Sequence, residues 1–300
     1  MGAVRATGGA RIWLMAARPR TLPAAIAPVL VGTSLAGFQG AFHPLRFVAA
    51  LLGAVFIQVG TNLSNDYSDA RRGADAEDRL GPVRVTAGGL VPPRQVLVAT
   101  YVSFGLAVLF GIYLIVVAGW LLLVLDAASI LAGVLYTGGP RPYGYAGLGE
   151  VFVFLFFGVV AVAGSYFAQT RHVDWEAFAL AVPVGLLAAS ILVVNNVRDI
   201  DSDRRAGKRT LAVKLGRART REMFAAIVYL AFLLAPVTWI FGPVGAWVML
   251  TWLALPLAAA VVRLVRTRSD GPSLNGALAR SGLLQLAFCG LLSIGLLLSG

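Results

Sequence analysis

Apolar residues run in long blocks along this chain, with polar stretches between them. Nine blocks reach the roughly 20 residues that a helix needs to cross a bilayer. They fall at about 22–39, 46–68, 95–117, 119–136, 148–168, 176–197, 222–241, 244–265 and 277–298. Pro23 and Pro28 predict a kink in the first. Two polar stretches are long, 69–94 and 198–221, and no other connection approaches them. The pattern predicts an all-α, polytopic membrane protein, one domain over residues 1–300, with nine transmembrane helices around a central cavity.

Composition removes whole classes of function. Hydrophobic residues make up 58% of the 300 and charged residues 13%, against about 45–50% and 25% in soluble domains. A soluble enzyme, a coiled coil and a disordered chain are excluded. The single cysteine, Cys289, excludes an internal disulfide framework and a Cys-rich metal site, and reads as a small core residue. The two histidines, His43 and His172, fall on short outer loops and receive no role. A net charge of +11 would suggest nucleic acid in a soluble chain. Here no nucleic acid is expected, and the partners are membrane lipid headgroups or a phosphate-bearing substrate.

Charge placement gives an orientation. With the N-terminal segment 1–20 in the cytoplasm, 23 of the 25 basic residues lie on the inner side, and only Arg46 and Arg171 lie outside. The bias places the N-terminus in the cytoplasm and the C-terminus outside the cell membrane. Both long stretches, 69–94 and 198–221, then share the cytoplasmic face.

The chemistry is written at that face. Asn62, Asn65, Asp66 and Asp69 close the second block. At about 100° per residue they share an arc of about 100°. Asn195, Asp199 and Asp203 close the sixth block at i, i+4, i+8, while Asp201 points away. Asn-xxx-Asp therefore occurs twice, at 65/69 and 195/199, each time at a helix end before a long basic loop. Two such clusters can face each other across one cavity. Crowded carboxylates repel unless a cation separates them. Oxygen-only ligands favour a hard ion, and Mg²⁺ binds through one or two carboxylates plus substrate phosphate. Arg71, Arg72, Arg79, Arg84, Arg198, Arg204, Arg205, Lys208 and Arg209 supply donors for phosphate oxygens.

A Gly/Pro-rich connection, 136–150, carries Tyr136, Arg141, Tyr143 and Tyr145 toward the same face. Arg141 is its only cation, so it is expected to act in the cavity. Tyr145 reads as a membrane-interface ring. Asp126 lies deep in the fourth block and reads as a structural carboxyl, distant from both clusters.

At these residues the chain resembles the UbiA superfamily of intramembrane polyprenyl transferases. The carrying segments are Arg18-Pro-Arg-Thr-Leu-Pro23, Asn65-Asp-Tyr-Ser-Asp69 with Gly73-Ala-Asp75, and Arg79-Leu-Gly-Pro-Val-Arg84-Val-Thr86. Tyr136-Thr-Gly-Gly-Pro-Arg-Pro142 and Asn195-Asn-Val-Arg-Asp-Ile-Asp-Ser-Asp203 complete them. The superfamily pattern is Asn-xxx-Asp-xxx-Asp. Its third position is Gly73 in the first cluster, with Asp75 the nearest carboxylate, a variant similar to the naphthoate branch.

The resemblance implies nine helices, a cavity open to the cytoplasmic side and to lipid, and Mg²⁺ as cofactor. It implies transfer of a polyprenyl group from polyprenyl diphosphate to 1,4-dihydroxy-2-naphthoate, with loss of the carboxylate, giving demethylmenaquinone. Asp66, Asp69, Asp75, Asp199 and Asp203 would hold the metal, and Asn62, Asn65 and Asn195 would join them at the diphosphate. Arg84, Arg198 and Lys208 would contact phosphate. Tyr136, Arg141 and Tyr143 would orient acceptor or diphosphate. The rival acceptors are a hydroxybenzoate, a haem, a chlorophyllide or a phospho-sugar. A transporter is the rival from another class, although coupling sites there lie near the midplane, not at one face beside arginines.

Overall fold

A computed structural model describes residues 9–73, 80, 81 and 83–300. Asp75 and Arg79 lie outside the described residues. Within them the chain is helical, with no strand. The helices are α1 (Gly9–Ala17), α2 (Pro23–Phe38), α3 (Pro44–Arg71), α4 (Pro93–Ala118), α5 (Leu121–Leu135) and α6 (Gly149–Phe154). They continue with α7 (Ala161–Thr170), α8 (Trp175–Arg205), α9 (Leu211–Leu234), α10 (Val237–Phe241), α11 (Leu255–Thr267) and α12 (Gly271–Leu297). Proline opens α2, α3 and α4, where its missing N–H would be unpaired in any case and its fixed φ suits the first turn.

All nine apolar blocks are helical, but they do not all qualify alike as spans. Seven helical segments among the described residues are long and apolar enough, and an eighth qualifies if the bent pair Gly9–Thr21 and Pro23–Phe38 counts as one. The fourth block, expected over 119–136, narrows to the 15 residues of α5, because the helical path stops at Gly119, where φ is 131°. Such a helix covers about 22 Å, less than the roughly 30 Å hydrocarbon core. The 55° bend lies ahead of Pro23, where Arg18 takes a left-handed conformation. Pro28 stays inside α2.

The 198–221 stretch is mostly helix, not loop: α8 runs on to Arg205 and α9 starts at Leu211. Gly216, at φ 78°, breaks α9. In the membrane, backbone groups must be satisfied within the segment, so an apolar run forms helix and carries even Pro28 and Pro183 within it.

The packed core gathers α2, α7, α8, α9, α11 and α12 around residues such as Leu35, Tyr166, Leu187, Phe224 and Phe288. Between α6 and α7 the helix loosens into a π-helical turn, Leu155–Val160. There Gly158 meets Gly185 of α8 so closely that a Cβ on Gly158 would lie 2.6 Å from the Gly185 Cα. Only glycine fits both positions. The extra residue of a π turn re-aims the side chains around it, and Phe156, Phe157 and Val160 line the central cavity.

Candidate active site

The cavity, about 300 Å³, is polar where α3 and α8 end and largely apolar below. Asn62, Asn65 and Asp69 line it from α3, and Asn195, Asp199 and Asp203 from α8. The two Asn-xxx-Asp devices therefore share one space. Arg84, Lys208, Tyr136 and Tyr143 also line it, joined by Arg18.

Asp69 is the centre of its polar end and only 1% exposed. Arg84 Nη2 lies 2.8 Å from its Oδ2 and Lys208 Nζ 3.4 Å. The Tyr145 hydroxyl donates to Oδ1 at 2.6 Å. Lys208 sits 4.7 Å and the Arg72 guanidinium 5.8 Å from the Tyr145 ring centroid. Tyr145 is thus a site residue that its pattern had disguised as an interfacial ring. The connection carrying it is tied to the start of α9 and the residues before it: Arg209 N–H donates to Tyr145 O at 2.9 Å, and Lys214 Nζ to Ala146 O at 2.5 Å.

Three residues expected in the site are placed otherwise. Asp66, 2% exposed, is outside the cavity lining. Its two oxygens accept from the backbone N–H groups of Val85, 3.1 Å, and Thr86, 2.9 Å. It anchors the segment that carries Arg84. Arg198 is also outside the lining; its Nε and Nη2 donate to the two oxygens of Asp199 at 2.7 and 2.6 Å. It holds a carboxylate where phosphate contact was expected. Arg141 is exposed and outside the lining.

The asparagines tie the frame together. Asn62 Nδ2 donates to Ala17 O at 3.0 Å and Thr21 Oγ1 at 3.1 Å, fixing α3 to the bend before α2. Asn65 Oδ1 accepts from Thr137 Oγ1 at 2.9 Å. Asp201 is exposed and pairs with Arg217 at 2.8 Å, away from the cavity as its helical angle requires.

An aromatic wall closes one side. Tyr136 packs edge-on to Tyr143 at 5.4 Å, and Tyr143 stacks on Phe152 at 3.9 Å. The Tyr136 ring has its place because Gly144 and Gly149 lack side chains: a Cβ there would lie 3.0 and 3.3 Å from its Cε2. Tyr143 donates to Ala132 O at 2.8 Å, and burial pushes its phenol above the ordinary range. Behind the wall Glu150 accepts from Asn196 at 2.8 Å, a buried pair with no sequence signal beyond the one acidic residue of its segment. Asp126 also lines the cavity, with Oδ2 buried against Gly111 and, among the described residues, lacking a hydrogen-bond partner.

Two polar helix ends set over an apolar chamber form a membrane-embedded cavity with a polar head and an apolar body. The chain matches the UbiA prenyltransferase family over residues 25–297 and belongs to it. A Mycobacterium tuberculosis protein named 1,4-dihydroxy-2-naphthoate octaprenyltransferase is 44% identical, covering 92% of this chain and 93% of its own. The Escherichia coli K12 protein of that name is 38% identical over 90% and 89%. Among solved structures, a UbiA homolog from Aeropyrum pernix K1 superposes with a TM-score of 0.69 at 16% identity, covering 92% and 97%. One from Archaeoglobus fulgidus bound to GPP and Mg²⁺ gives 0.64 at 16%, covering 94% and 99%.

Proposed function

We propose that this protein transfers a polyprenyl group from polyprenyl diphosphate to 1,4-dihydroxy-2-naphthoate, with loss of the ring carboxylate, giving demethylmenaquinone. The observation that carries the reading is the meeting of Asp69 with Asp199 and Asp203 in one cavity, beside Arg84 and Lys208. The names of the similar proteins support the acceptor.

The donor set fits Mg²⁺. Among the described residues no three carboxylates or imidazoles gather into a ready-made metal cage. Mg²⁺ needs none, since it binds through one or two carboxylates with phosphate oxygens and water. One or two of Asp69, Asp199 and Asp203, with the amide oxygens of Asn65 and Asn195, would hold it, and Asp75 is a further candidate ligand. Bound there, it would offset the charge of the departing diphosphate.

The chain's own groups act as follows. Arg84 and Lys208 offer donors to the diphosphate oxygens as the prenyl C1–O bond breaks. Their present partner, Asp69, keeps both aimed at one point. Phe152, Phe156 and Phe157 line the chamber below and keep water from the allylic cation. Tyr136 and Tyr143 form a face against which a flat acceptor ring can lie. A ring carbon forms the new C–C bond to prenyl C1 as the diphosphate departs with the C–O electron pair, and the ring carboxylate is lost as carbon dioxide, with no net release of a proton. We place the reaction at the cytoplasmic face of the cell membrane, with the C-terminus outside.

The test is incubation of purified protein with an allylic polyprenyl diphosphate and each candidate aromatic acid, with products identified by mass. Prenylated, decarboxylated naphthoquinol is expected, with activity lost in EDTA and restored by Mg²⁺. Full activity in EDTA would refute the metal, and product from another acid alone would refute the acceptor.

A further inference from the structure

Arg198 heads the largest fully buried side chains, at 2% exposure. A charge so deep is costly unless paired and hydrogen-bonded. Asp199 pairs with it through two near-parallel bonds, and Nη2 also reaches Asn195 Oδ1 at 2.7 Å. The fourth bond leaves the motif: Nη1 donates to Asn275 Oδ1 at 2.6 Å. Asn275 stands on α12, and its Nδ2 donates to Leu80 O at 3.0 Å, in the segment between α3 and α4. Its amide therefore has one allowed orientation, oxygen toward Arg198 and nitrogen toward Leu80.

A carboxylate has about four lone-pair sites. The guanidinium fork takes one on each Asp199 oxygen, so the plane of Arg198 decides where the others point. Asp199 and Asn195 both line the cavity. We infer that Asn275 is a positioning residue for the metal and diphosphate site: by fixing Arg198, it aims Asp199 and Asn195 into the cavity. This inference rests on the Mg²⁺ reading above.

Mn²⁺ can report on the site directly, because free Mn²⁺ is measured by electron paramagnetic resonance without turnover. The full chain in detergent would be titrated with Mn²⁺ in the presence of inorganic pyrophosphate. Removing a partner behind a metal ligand typically costs 10–100-fold in affinity, so Asn275→Leu should weaken Mn²⁺ binding about tenfold. Asn275→Asp keeps an oxygen for Arg198 and should stay within about twofold of the unsubstituted protein. The KM for the acceptor should not move. If Asn275→Leu fails to fold, Asn275→Ser, too short to hold Arg198, carries the same expectation. Unchanged Mn²⁺ affinity in the Leu or Ser variant, with a lowered Tm, would make Asn275 a plain helix tie and overturn this inference alone. No Mn²⁺ binding by the unsubstituted protein would instead overturn the metal reading and this inference with it.

Discussion

Asp66→Asn separates two roles that one helical turn places side by side. As a metal ligand, Asp66 would lose affinity with the charge. As an anchor for Val85 and Thr86, it would lose stability. Its carboxylate accepts two backbone N–H bonds in a buried site, and bonds to a charged group contribute about 1.5–3 kcal/mol each. Asparagine keeps one oxygen and turns an NH₂ toward the other amide. One N–H is then buried without an acceptor, at a cost of about 1–3 kcal/mol. A loss of about 2 kcal/mol lowers Tm by roughly 3 °C in a chain of this size. The assay is thermal unfolding in detergent beside Mn²⁺ titration with pyrophosphate. Tm should fall while Mn²⁺ affinity stays within about threefold. Normal Tm with abolished Mn²⁺ binding would refute the anchor and return Asp66 to the metal.

Asp69→Asn and Asp199→Asn should each lower prenyl transfer by roughly 10²–10³, whereas Asp201→Asn, on the exposed side, should leave the rate within about twofold; equal losses at 199 and 201 would contradict the placement. Arg141→Ala should retain most activity, measured as kcat/KM for both substrates, because its side chain is exposed and off the cavity lining. Gly185→Ala would put a Cβ 2.9 Å from Phe154 O and 3.0 Å from the Gly158 Cα; overpacking of this kind costs about 1–3 kcal/mol, read as a lowered Tm in detergent.

The apolar blocks were legible because hydrocarbon admits helix and little else, so residue type alone marks the segments. Their ends were less so: Gly119 shortened α5, and α8 continued through residues as polar as Arg204 and Arg205. The carboxylate clusters were legible from helical angle. Taking Asn62 as zero, Asn65 and Asp69 lie at about −60° and −20° and Asp66 at about +40°. The cavity faces the first three, so Asp66 was at the edge of the arc and turned to the segment behind. What helical angle could not supply is what arrives from elsewhere. Tyr145 reaches Asp69 across 76 positions, and Asn275 reaches Arg198 across 77. Arg198 looked like a phosphate donor because its neighbour Asp199, which occupies it, was counted separately.

The ion pairs of the site bear on how the chain enters its membrane. Asp69 finds Arg84 15 positions onward, and Asp199 finds Arg198 next to it. Each carboxylate thus emerges from the ribosome with a neutralising partner in its own half of the protein. Neither half carries a bare Asp69 or Asp199 charge to the lipid while waiting for the other. The contact of Lys208 with Asp69 spans 139 positions and forms only when the two halves dock. Insertion and assembly of the site are therefore separable events, the first relying on neighbours in sequence and the second on neighbours in space.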